Sequence, residues 1–507
     1  MTGTFADLMA THPDAAQAIG APSKGWLSYG GLRALAGDVR ARLRSAGIGP
    51  QDRVAIVLPN GATMATAFVT VAASATTAPL NPAYRDEEYA FYLEDLKAKA
   101  IILEAGYDGP ALAPARRFGL TILWLHEDAQ TAGLFRLEPD GAVVAAQDGT
   151  PGPEDVALIL HTSGTTSRPK IVPLMQSNIA ASARHIATSL ALTPQDRCLN
   201  VMPLFHIHGL LAAVCASLSA GASVFCAPGF NALAFFAQMR EARPTWYTAV
   251  PTMHQAILSR APRNAEVIDD VPLRFLRSSS ASLPAQVMAQ LAETFCAPVV
   301  EAYGMTEAAH QMCCNPLDRQ KPGSVGVAAG PEVAIAHEVE NSLIDGVGEV
   351  VISGPNVTPG YEANPEANAK NFFEAGGTRW FRTGDQGALD AEGFLSLTGR
   401  LKEIINRGGE KISPLEVDGV LMDHPAVAQC VAFALPHPKL GEEVAAAVVL
   451  REGCVATEQE ICGFAADRMA DFKVPRLVVI LEEIPKGATG KMQRIGMAEK
   501  LGLVATT

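Results

Sequence analysis

The chain has 507 residues, and its 40 lysines and arginines against 53 aspartates and glutamates give a formal charge of −13. This acidic balance argues against a general nucleic-acid-binding protein, and we expect no nucleic-acid partner. Hydrophobic residues make up 48% of the chain and charged residues 18%, which provides a sizeable core and excludes a disordered chain.

Residues 1–20 do not have the pattern of a secretory leader, because no lysine or arginine precedes their short apolar patches. Two uncharged segments, 54–84 and 207–239, exceed the roughly 20 residues of a membrane span, but proline and glycine interrupt both. We predict buried strands and helices there instead. The cysteines follow no disulfide or zinc-site spacing, so we expect reduced thiols, a cytoplasmic location and no membrane partner.

Short apolar runs alternate with alanine-rich segments of helical spacing in the first part of the chain. Strands are predicted at 54–58, 100–103 and 156–160. From about Gly346 the pattern changes to short strands separated by turn residues. These strands are predicted at 349–353, 380–381 and 394–398. The alternation predicts an α/β fold, and the later strands predict an antiparallel β-rich subdomain that closes the large domain.

A small α+β pattern follows the sequence GRLKE at 399–403. Helices are predicted at 417–422 and 458–469, and strands at 431–435, 444–450 and 477–481. About 100 residues are enough for a separate domain. We therefore expect a large N-terminal α/β domain over residues 1–398, a hinge over 399–403 and a small mobile C-terminal α+β lid over 404–507.

The strand at 156–160 leads into the sequence HTSGTTSRPK at 161–170. Hydroxyl groups, a glycine and Lys170 directly after a buried strand favour a phosphate-binding loop, in which hydroxyls and backbone N–H groups bind the oxygens. The Walker pattern G-x-x-x-x-G-K-[ST] is absent. A loop rich in serine and threonine is often a plain turn, but the order T-S-G-T-T-x-x-P-K is much rarer than its composition.

Four further motifs follow in a fixed order: EAYGMTE at 301–307, FRTGD at 381–385, GRLKE at 399–403 and PKGATGK at 485–491. With the loop, they resemble the adenylate-forming superfamily of acyl-CoA synthetases, luciferases and peptide-synthetase adenylation domains. The resemblance extends along almost the whole chain. It implies an acid–CoA ligase that makes an acyl-adenylate and pyrophosphate from a carboxylic acid and ATP, then transfers the acyl group to coenzyme A and releases AMP.

The resemblance also implies the residues that bind ATP and AMP. These are Thr162, Ser163, Gly164, Thr165, Thr166, Lys170, Ser280, Ala281, Ser282, Glu301, Ala302, Tyr303, Gly304, Met305, Thr306, Asp385, Arg400 and Lys491. Both transition states are anionic, so cations and hydroxyls at the phosphates would stabilise them. Asp385 suits the ribose hydroxyls, and Tyr303 offers a flat face to adenine. Taken singly, Arg400 and Lys491 are more simply explained as solvated surface charges, but the ordered set favours function.

Catalytic roles are implied for Glu307, His206 and Lys491. Glu307 is the candidate contact for Mg²⁺, which pyrophosphate chemistry needs. His206 fills the position that gates the acid in this superfamily. Lys491 would neutralise charge between the carboxylate and the α-phosphate.

A rotation of the small domain about Lys402 is implied after adenylation. It would withdraw Lys491 and bring residues 404–411 to the active site, where Gly408 and Gly409 allow the backbone to approach the pantetheine arm of coenzyme A. Lys411 is the expected contact to a coenzyme A phosphate.

Two positions depart from the family pattern, because Ser167 and Ile171 stand where glycine is common. Ser167 is expected to be harmless. Ile171 is β-branched and would be strained if the backbone there required a positive φ.

The acid pocket is expected to be polar. His206 and His208 are two residues apart and would lie on one side of an extended segment. Ser280 belongs to the sequence RSSSAS at 277–282, where serines replace the glycine-rich sequence of many fatty-acid ligases, and His310 is a third imidazole near the site. A pocket with His208, Ser280 and His310 suits a small, doubly charged acid, because unpaired polar groups reject apolar tails.

Several segments of the sequence most resemble the sequences of the oxalate-activating branch of the superfamily. Oxalate is therefore the acid we favour. Malonate is the nearest rival, followed by a short or medium-chain fatty acid. A zinc site at the histidines lacks the expected ligand spacing. A carrier-loading adenylation domain and a catalytically inactive nucleotide-binding protein are the remaining alternatives. The presence of Lys170, Glu307, Asp385 and Lys491 weighs against the inactive protein.

Overall fold

The computed structural model describes residues 3–141, 148–162, 169–485 and 492–504. In chain order the strands are β1 Gln17–Gly20, β2 Leu27–Ser28, β3 Arg53–Val57, β4 Thr76–Pro79, β5 Ala100–Glu104, β6 Thr121–Glu127, β7 Phe135–Pro139, β8 Val156–Thr162, β9 Lys170–Met175, β10 Arg197–Asn200, β11 Ser223–Cys226, β12 Trp246–Ala249, β13 Phe275–Ser279, β14 Val299–Met305, β15 His310–Cys314, β16 Val327–Ala328, β17 Glu332–Ala336, β18 Gly348–Ser353, β19 Phe372–Ala375, β20 Thr378–Leu389, β21 Leu395–Arg400, β22 Ile405–Arg407, β23 Glu410–Ile412, β24 Val427–His437, β25 Gly441–Leu450 and β26 Leu477–Leu481.

The α-helices are α1 Asp7–Ala10, α2 Tyr29–Ser45, α3 Ala62–Ala72, α4 Asp86–Leu96, α5 Leu112–Arg117, α6 Gln176–Ser189, α7 Ala216–Ser219, α8 Phe235–Ala242, α9 Pro251–Leu258, α10 Ala265–Asp270, α11 Ala285–Phe295, α12 Pro365–Asn371, α13 Pro414–Met422, α14 Glu458–Ala466 and α15 Met497–Lys500. A π-helix spans His208–Cys215, and 3₁₀-helices span Ala261–Asn264 and Thr306–Ala308.

The larger central sheet has the strand order β16-β15-β14-β13-β12-β10-β11-β1-β2. The strands from β14 to β1 are all paired in parallel. Every residue of β12 and β13 is buried, as expected for parallel strands that are covered on both faces. The carboxyl ends of β12, β13 and β14 therefore lie at one edge of the sheet, where ligands of α/β proteins bind.

The second sheet has the order β7-β6-β5-β3-β4-β8-β9. It is parallel from β6 to β8, and β9 returns antiparallel to β8 with Lys170 opposite Thr162. The connection between these two strands, residues 163–168, lies outside the described part of the chain. Thr162 and Lys170, on either side of this connection, both belong to the sheet.

The two long uncharged segments are internal, as predicted. The first contains β3, α3 and β4, and all but one of the eleven α3 residues are buried. The second contains the fully buried π-helix, α7, β11 and α8. No described helix has both the length and the apolar character needed to cross a membrane.

A five-stranded antiparallel sheet follows, with the order β17-β18-β20-β19 and β21 beside β20. It begins at Glu332, earlier than the position near Gly346 at which the sequence pattern changes. The difference arises because β17 is half-exposed at the sheet edge and carries little apolar periodicity.

The smaller C-terminal part has a sheet of order β23-β22-β25-β24, with β26 parallel to β25. Its helices start at residues suited to capping. The Thr457 hydroxyl accepts the N–H of Glu460, and the Glu460 carboxylate accepts the N–H of Thr457 at 2.7 Å, which forms a capping box at α14. The observed architecture, a large N-terminal α/β part and a smaller C-terminal α+β part, is the one predicted.

Candidate active site

Gly304 brings β14 and β15 unusually close together. A Cβ atom at this position would lie 1.8 Å from the backbone oxygen of His310, and the strand register shifts between Tyr303 and Gly304. Only glycine fits such an approach. The glycine of the EAYGMTE motif therefore places His310 next to the end of β14.

Tyr303, Asp385 and Arg400 form one cluster. Asp385 on β20 is paired directly with Arg400 on β21, and Arg400 Nε lies 3.3 Å from Asp385 Oδ1. The Tyr303 hydroxyl donates a hydrogen bond to the other oxygen of this carboxylate. Burial raises the pKa of Asp385, while Arg400 and Tyr303 oppose the shift. The buried carboxylate is thus held as an acceptor beside a cation.

Lys170 and Glu307 are joined through Tyr361. The Lys170 ammonium lies 4.4 Å from the centre of the Tyr361 ring, and the Tyr361 hydroxyl donates to Glu307 Oε1 at 2.7 Å. Burial raises the pKa of Glu307, and the hydrogen bond from Tyr361 together with Arg400 and Lys170 lowers it. This arrangement connects the lysine of the phosphate loop with the expected metal contact.

Lys402 is exposed in the turn that follows β21. Burial lowers the pKa of Lys170, and the positive charges of Lys402 and Lys370 lower it further. The expected hinge residue therefore lies within electrostatic range of the phosphate loop.

Glu301 supports the segment that follows β13. It is buried and accepts the N–H of Leu283 at 2.9 Å. Burial raises the pKa of Glu301 to about 8. Ala281 and Ser282, which precede Leu283 in the chain, are exposed. The structure thus gives Glu301 a role in positioning the backbone at Leu283.

The polar side chains expected in the acid pocket come together. The rings of His208 and His310 stack with centroids 5.0 Å apart. His208 Nδ1 lies 3.0 Å from Ser280 Oγ, and His208 Nε2 lies 2.6 Å from Thr248 Oγ1. His208 and His310 are both buried. The side chains that meet at the carboxyl ends of β12 and β13 are therefore polar.

His206 and His208 do not lie on an extended segment. Ile207 has helical backbone angles, and the π-helix begins at His208. π-helical turns are rare and are frequent at functional sites. The half-buried His206 ring packs against Phe205 at a centroid distance of 4.5 Å, whereas His208 joins the Ser280 cluster. The two histidines therefore do not lie on one side of an extended segment, as expected, but in two different environments.

Two residues of these clusters were not assigned from the sequence. Arg277 is fully buried and touches both His208 and His310. Arg277 follows Phe275 and Leu276 in the fully buried strand β13, and an arginine in such a strand was a usable signal for it. Tyr361 had no such signal, because nothing near it in the sequence connects it with Glu307.

Gly408 and Gly409 form the two-residue turn between β22 and β23, and both have positive φ. This is the backbone that a tight hairpin requires. Lys411 Nζ lies 2.6 Å from Glu338 Oε2 of the large part of the chain. The expected coenzyme A loop is thus in contact with the large domain through an ion pair.

Some assigned positions lie outside the described residues. They are Ser163, Gly164, Thr165, Thr166 and Lys491. Ser167 lies there as well. Ile171 is described and does not have a positive φ, since it continues β9 opposite His161. The strain considered for Ile171 is therefore absent.

The chain is similar to proteins of known family. Residues 5–362 match the AMP-binding enzyme model, and residues 416–491 match the AMP-binding enzyme C-terminal domain. An oxalate–CoA ligase of Arabidopsis thaliana is 46% identical over 504 residues, which cover 97% of each chain. An oxalate–CoA ligase of Saccharomyces cerevisiae is 42% identical over 482 residues, covering 89% of this chain and 87% of that protein. The crystal structure of ATP-bound MatB from Rhodopseudomonas palustris matches with a TM-score of 0.88 at 28% identity, covering 99% of each chain.

Proposed function

The chain belongs to the AMP-binding enzyme family, and from that membership we infer that it is an ATP-dependent, AMP-forming acid–CoA ligase whose acid is oxalate. The observation that carries the choice of acid is the stacked pair of His208 and His310 beside Ser280. Hydrogen-bonding groups in a buried pocket suit a second carboxylate and reject an alkyl chain, which would leave them unpaired.

In the first half-reaction, a carboxylate oxygen of the acid attacks the α-phosphate of ATP and pyrophosphate leaves. Lys170, at the end of the phosphate loop, would bind the β- and γ-phosphates together with the hydroxyls of residues 162–166. Asp385 would accept the ribose hydroxyls, since its carboxylate is already oriented by Tyr303 and Arg400. Lys491 would stabilise the negative charge that builds up between the two substrates.

Glu307 fits a contact to Mg²⁺. Its carboxylate is buried beside the phosphate-loop lysine, and the described residues contain no group of three or more histidine, cysteine or acidic side chains that could hold a metal by themselves. Mg²⁺ is commonly bound by one or two carboxylates together with substrate phosphates and water. When bound, the ion would neutralise phosphate charge, and Tyr361 would orient the Glu307 carboxylate.

In the second half-reaction, the thiol of coenzyme A attacks the acyl carbon and AMP leaves. We place the division of the chain at 1–398 and 404–507, with the hinge at 399–403. Rotation about Lys402 would exchange Lys491 for the hairpin of Gly408 and Gly409. The contact between Lys411 and Glu338 supports this proposal, because it puts the hairpin against the large domain. All nine cysteines are free thiols, which supports a cytoplasmic location.

Pyrophosphate release tests the proposed reaction. The purified protein is supplied with ATP, Mg²⁺ and coenzyme A, and with oxalate, malonate, acetate or octanoate in separate assays. We expect kcat/KM for oxalate to exceed that for every other acid by about tenfold or more. A preference for octanoate would overturn the choice of acid, and no release with any acid would point to a catalytically inactive protein.

A Lys491→Ala variant tests the assignment of the two half-reactions. We expect loss of pyrophosphate release, because the charge at the reacting phosphate is removed, while thioester formation from supplied oxalyl-adenylate is largely kept. Unchanged overall turnover would contradict the role of Lys491.

A further inference from the structure

Arg277 lies at the centre of the hydrogen-bonded cluster behind the stacked imidazoles. Its Nη2 lies 3.1 Å from His310 Nε2 and donates to Gln311 Oε1 at 3.2 Å. Its Nη1 lies 3.4 Å from both His208 Nε2 and Thr248 Oγ1. One fully buried guanidinium therefore contacts both histidines of the acid pocket.

The charge of Arg277 has no carboxylate partner among the residues that the structure describes. The groups that act on it electrostatically are the thiols of Cys198 and Cys314. Burial raises the pKa of Cys314 to about 11 and raises that of Cys198 well above its ordinary value, so both thiols are neutral at neutral pH. Burial lowers the pKa of Arg277 to about 10, which leaves it positively charged. A buried charge without a counter-ion is destabilising, and a bound anion would relieve that cost.

The guanidinium also fixes the tautomers of both rings. Arginine can only donate, so His310 Nε2 at 3.1 Å must accept, and His208 Nε2 accepts from Arg277 and from the Thr248 hydroxyl at 2.6 Å; the proton of each neutral ring then lies on Nδ1. His208 Nδ1–H can therefore donate to Ser280 Oγ at 3.0 Å. Ser280 keeps its own hydroxyl proton to donate to an anion. The cluster thus presents donors, backed by a positive charge, at the end of β13.

We propose that Arg277 determines the charge preference of the acid pocket: it orients His208 and His310 as donors and supplies the positive charge that the second carboxylate of a dianionic acid neutralises. The proposal rests on the proposed function, since it takes the acid to be a dicarboxylate. Arg277 acts through the two imidazoles and is a positioning residue.

The test compares oxalate with oxamate, in which an amide replaces the second carboxylate at nearly the same size. For the wild-type protein we expect kcat/KM to be higher with oxalate. In Arg277→Met we expect this oxalate-to-oxamate ratio to fall by about tenfold or more, because the charge that distinguishes the two acids is lost. The KM for oxalate should rise while the KM for ATP stays within about twofold.

A second variant neutralises the net positive charge of the buried cluster and keeps Arg277. Gln311→Glu puts a carboxylate at the 3.2 Å contact with Nη2 and should lower the same ratio. Gln311→Met loses the same amide contacts without adding charge, so its ratio should stay near the wild-type value. Arg44→Met is the control for deleting a buried arginine, because Arg44 donates to the backbone oxygens of Ile48, Ser74 and Gly149 and should affect stability alone.

The outcomes separate this proposal from the proposed function. An unchanged ratio in folded Arg277→Met or in Gln311→Glu overturns the role of Arg277 even if the wild-type protein activates oxalate. If Arg277→Met does not fold, the role of Arg277 is tested by comparing the oxalate-to-oxamate ratio of Gln311→Glu with that of Gln311→Met. A wild-type protein that releases pyrophosphate with another acid but not with oxalate would overturn the proposed acid, and this inference with it.

Discussion

Ser280 and His310 hold backbone conformations that residues with side chains rarely adopt. Their φ angles are 74° and 95°, in the region that favours glycine. Such a conformation costs about 1 kcal/mol or more per residue. It persists only when surrounding contacts hold it, and strained residues of this kind cluster at functional sites. The hydrogen bond between His208 and Ser280 and the contact from Arg277 to His310 are among the interactions that hold them here.

Ser280→Gly is expected to change stability and activity in opposite directions. Glycine relieves the positive φ, so the free energy of unfolding should rise by up to about 1 kcal/mol. Loss of the hydroxyl should lower kcat/KM for oxalate by about tenfold. Urea denaturation and pyrophosphate release measure the two effects. Ser280→Ala loses the hydroxyl and keeps the strain, so it should lose activity without gaining stability; a stabilised Ala variant would contradict the strain argument.

Glu301 is expected to make stability depend on pH. Its folded-state pKa of about 8 lies above that of the unfolded chain, so between about pH 4.5 and 8 the folded state binds the extra proton. The stabilisation of the folded state that comes from this proton is therefore fully present below about pH 4.5, and it is lost as the pH rises to about 8. Glu301→Gln should flatten the fall in unfolding free energy across that range, measured by denaturation at each pH. The exposed Glu293→Gln should leave the slope unchanged, and an equal slope in both variants would contradict the prediction.

The turn from β14 to β15 places residues proposed for the nucleotide site close to a histidine proposed for the acid pocket. Glu307 lies on the short 3₁₀-helix between these strands, and His310 starts β15. The close approach at Gly304 and the positive φ of Ala309 make this turn compact. The proposed metal contact and a proposed acid-binding histidine are thereby held on one short connection.

Gly304→Ala should separate these strands. The added Cβ would meet the backbone oxygen of His310, which cannot rotate away, so we expect a loss of about 2 kcal/mol or more in stability and at least about a hundredfold lower kcat/KM. Thermal denaturation and pyrophosphate release provide the measurements. Gly37→Ala in α2 is the matched control, because its Cβ meets no atom within 4 Å and alanine should stabilise the helix by about 0.5–1 kcal/mol. Wild-type activity in Gly304→Ala would contradict the role of the close approach.

Polar contacts join the two parts of the molecule at several described residues, among them the Ser413 hydroxyl, which donates to the backbone oxygen of Thr398. Lys411 pairs with Glu338, which also accepts from Gln386 Nε2, and Gln255 Nε2 donates to the backbone oxygen of Ala428 at 3.2 Å. An exposed ion pair contributes only about 0–1 kcal/mol. Buried apolar side chains of both parts, such as Ile257 and Val427, also belong to one hydrophobic cluster, so the proposed rotation would have to break apolar as well as polar contacts.

Lys411 and Glu338 variants should affect the half-reactions differently. Lys411→Ala removes the proposed phosphate contact, so the KM for coenzyme A should rise by about tenfold while ATP–pyrophosphate exchange is unchanged. Glu338→Gln releases Lys411 from its ion pair, so the KM for coenzyme A should fall by about twofold. The double variant should behave as Lys411→Ala. An unaltered coenzyme A dependence in Lys411→Ala would contradict the assignment.

Local patterns along the chain were enough to predict the fold class, the order of several elements and the family. Apolar runs such as β3, β5 and β8 are long enough to be recognised as buried strands, and five ordered motifs identify the family without any contact information. These features are local, because each depends on residues within one segment. The expected pocket residues His208, Ser280 and His310 were also named from local motifs.

Contacts between side chains that are distant in the chain could not be predicted in this way, because they depend on the assembled fold. Arg277 and His208 are 69 residues apart, and Tyr361 and Glu307 are 54 apart. Their contacts depend on the parallel order β12-β13-β14, on the bulge at Gly304 and on the π-helix at His208. Hydrophobic periodicity specifies which face of a strand is buried but not which strand lies beside it. The charge behind the acid pocket therefore became visible only when the strands were assembled.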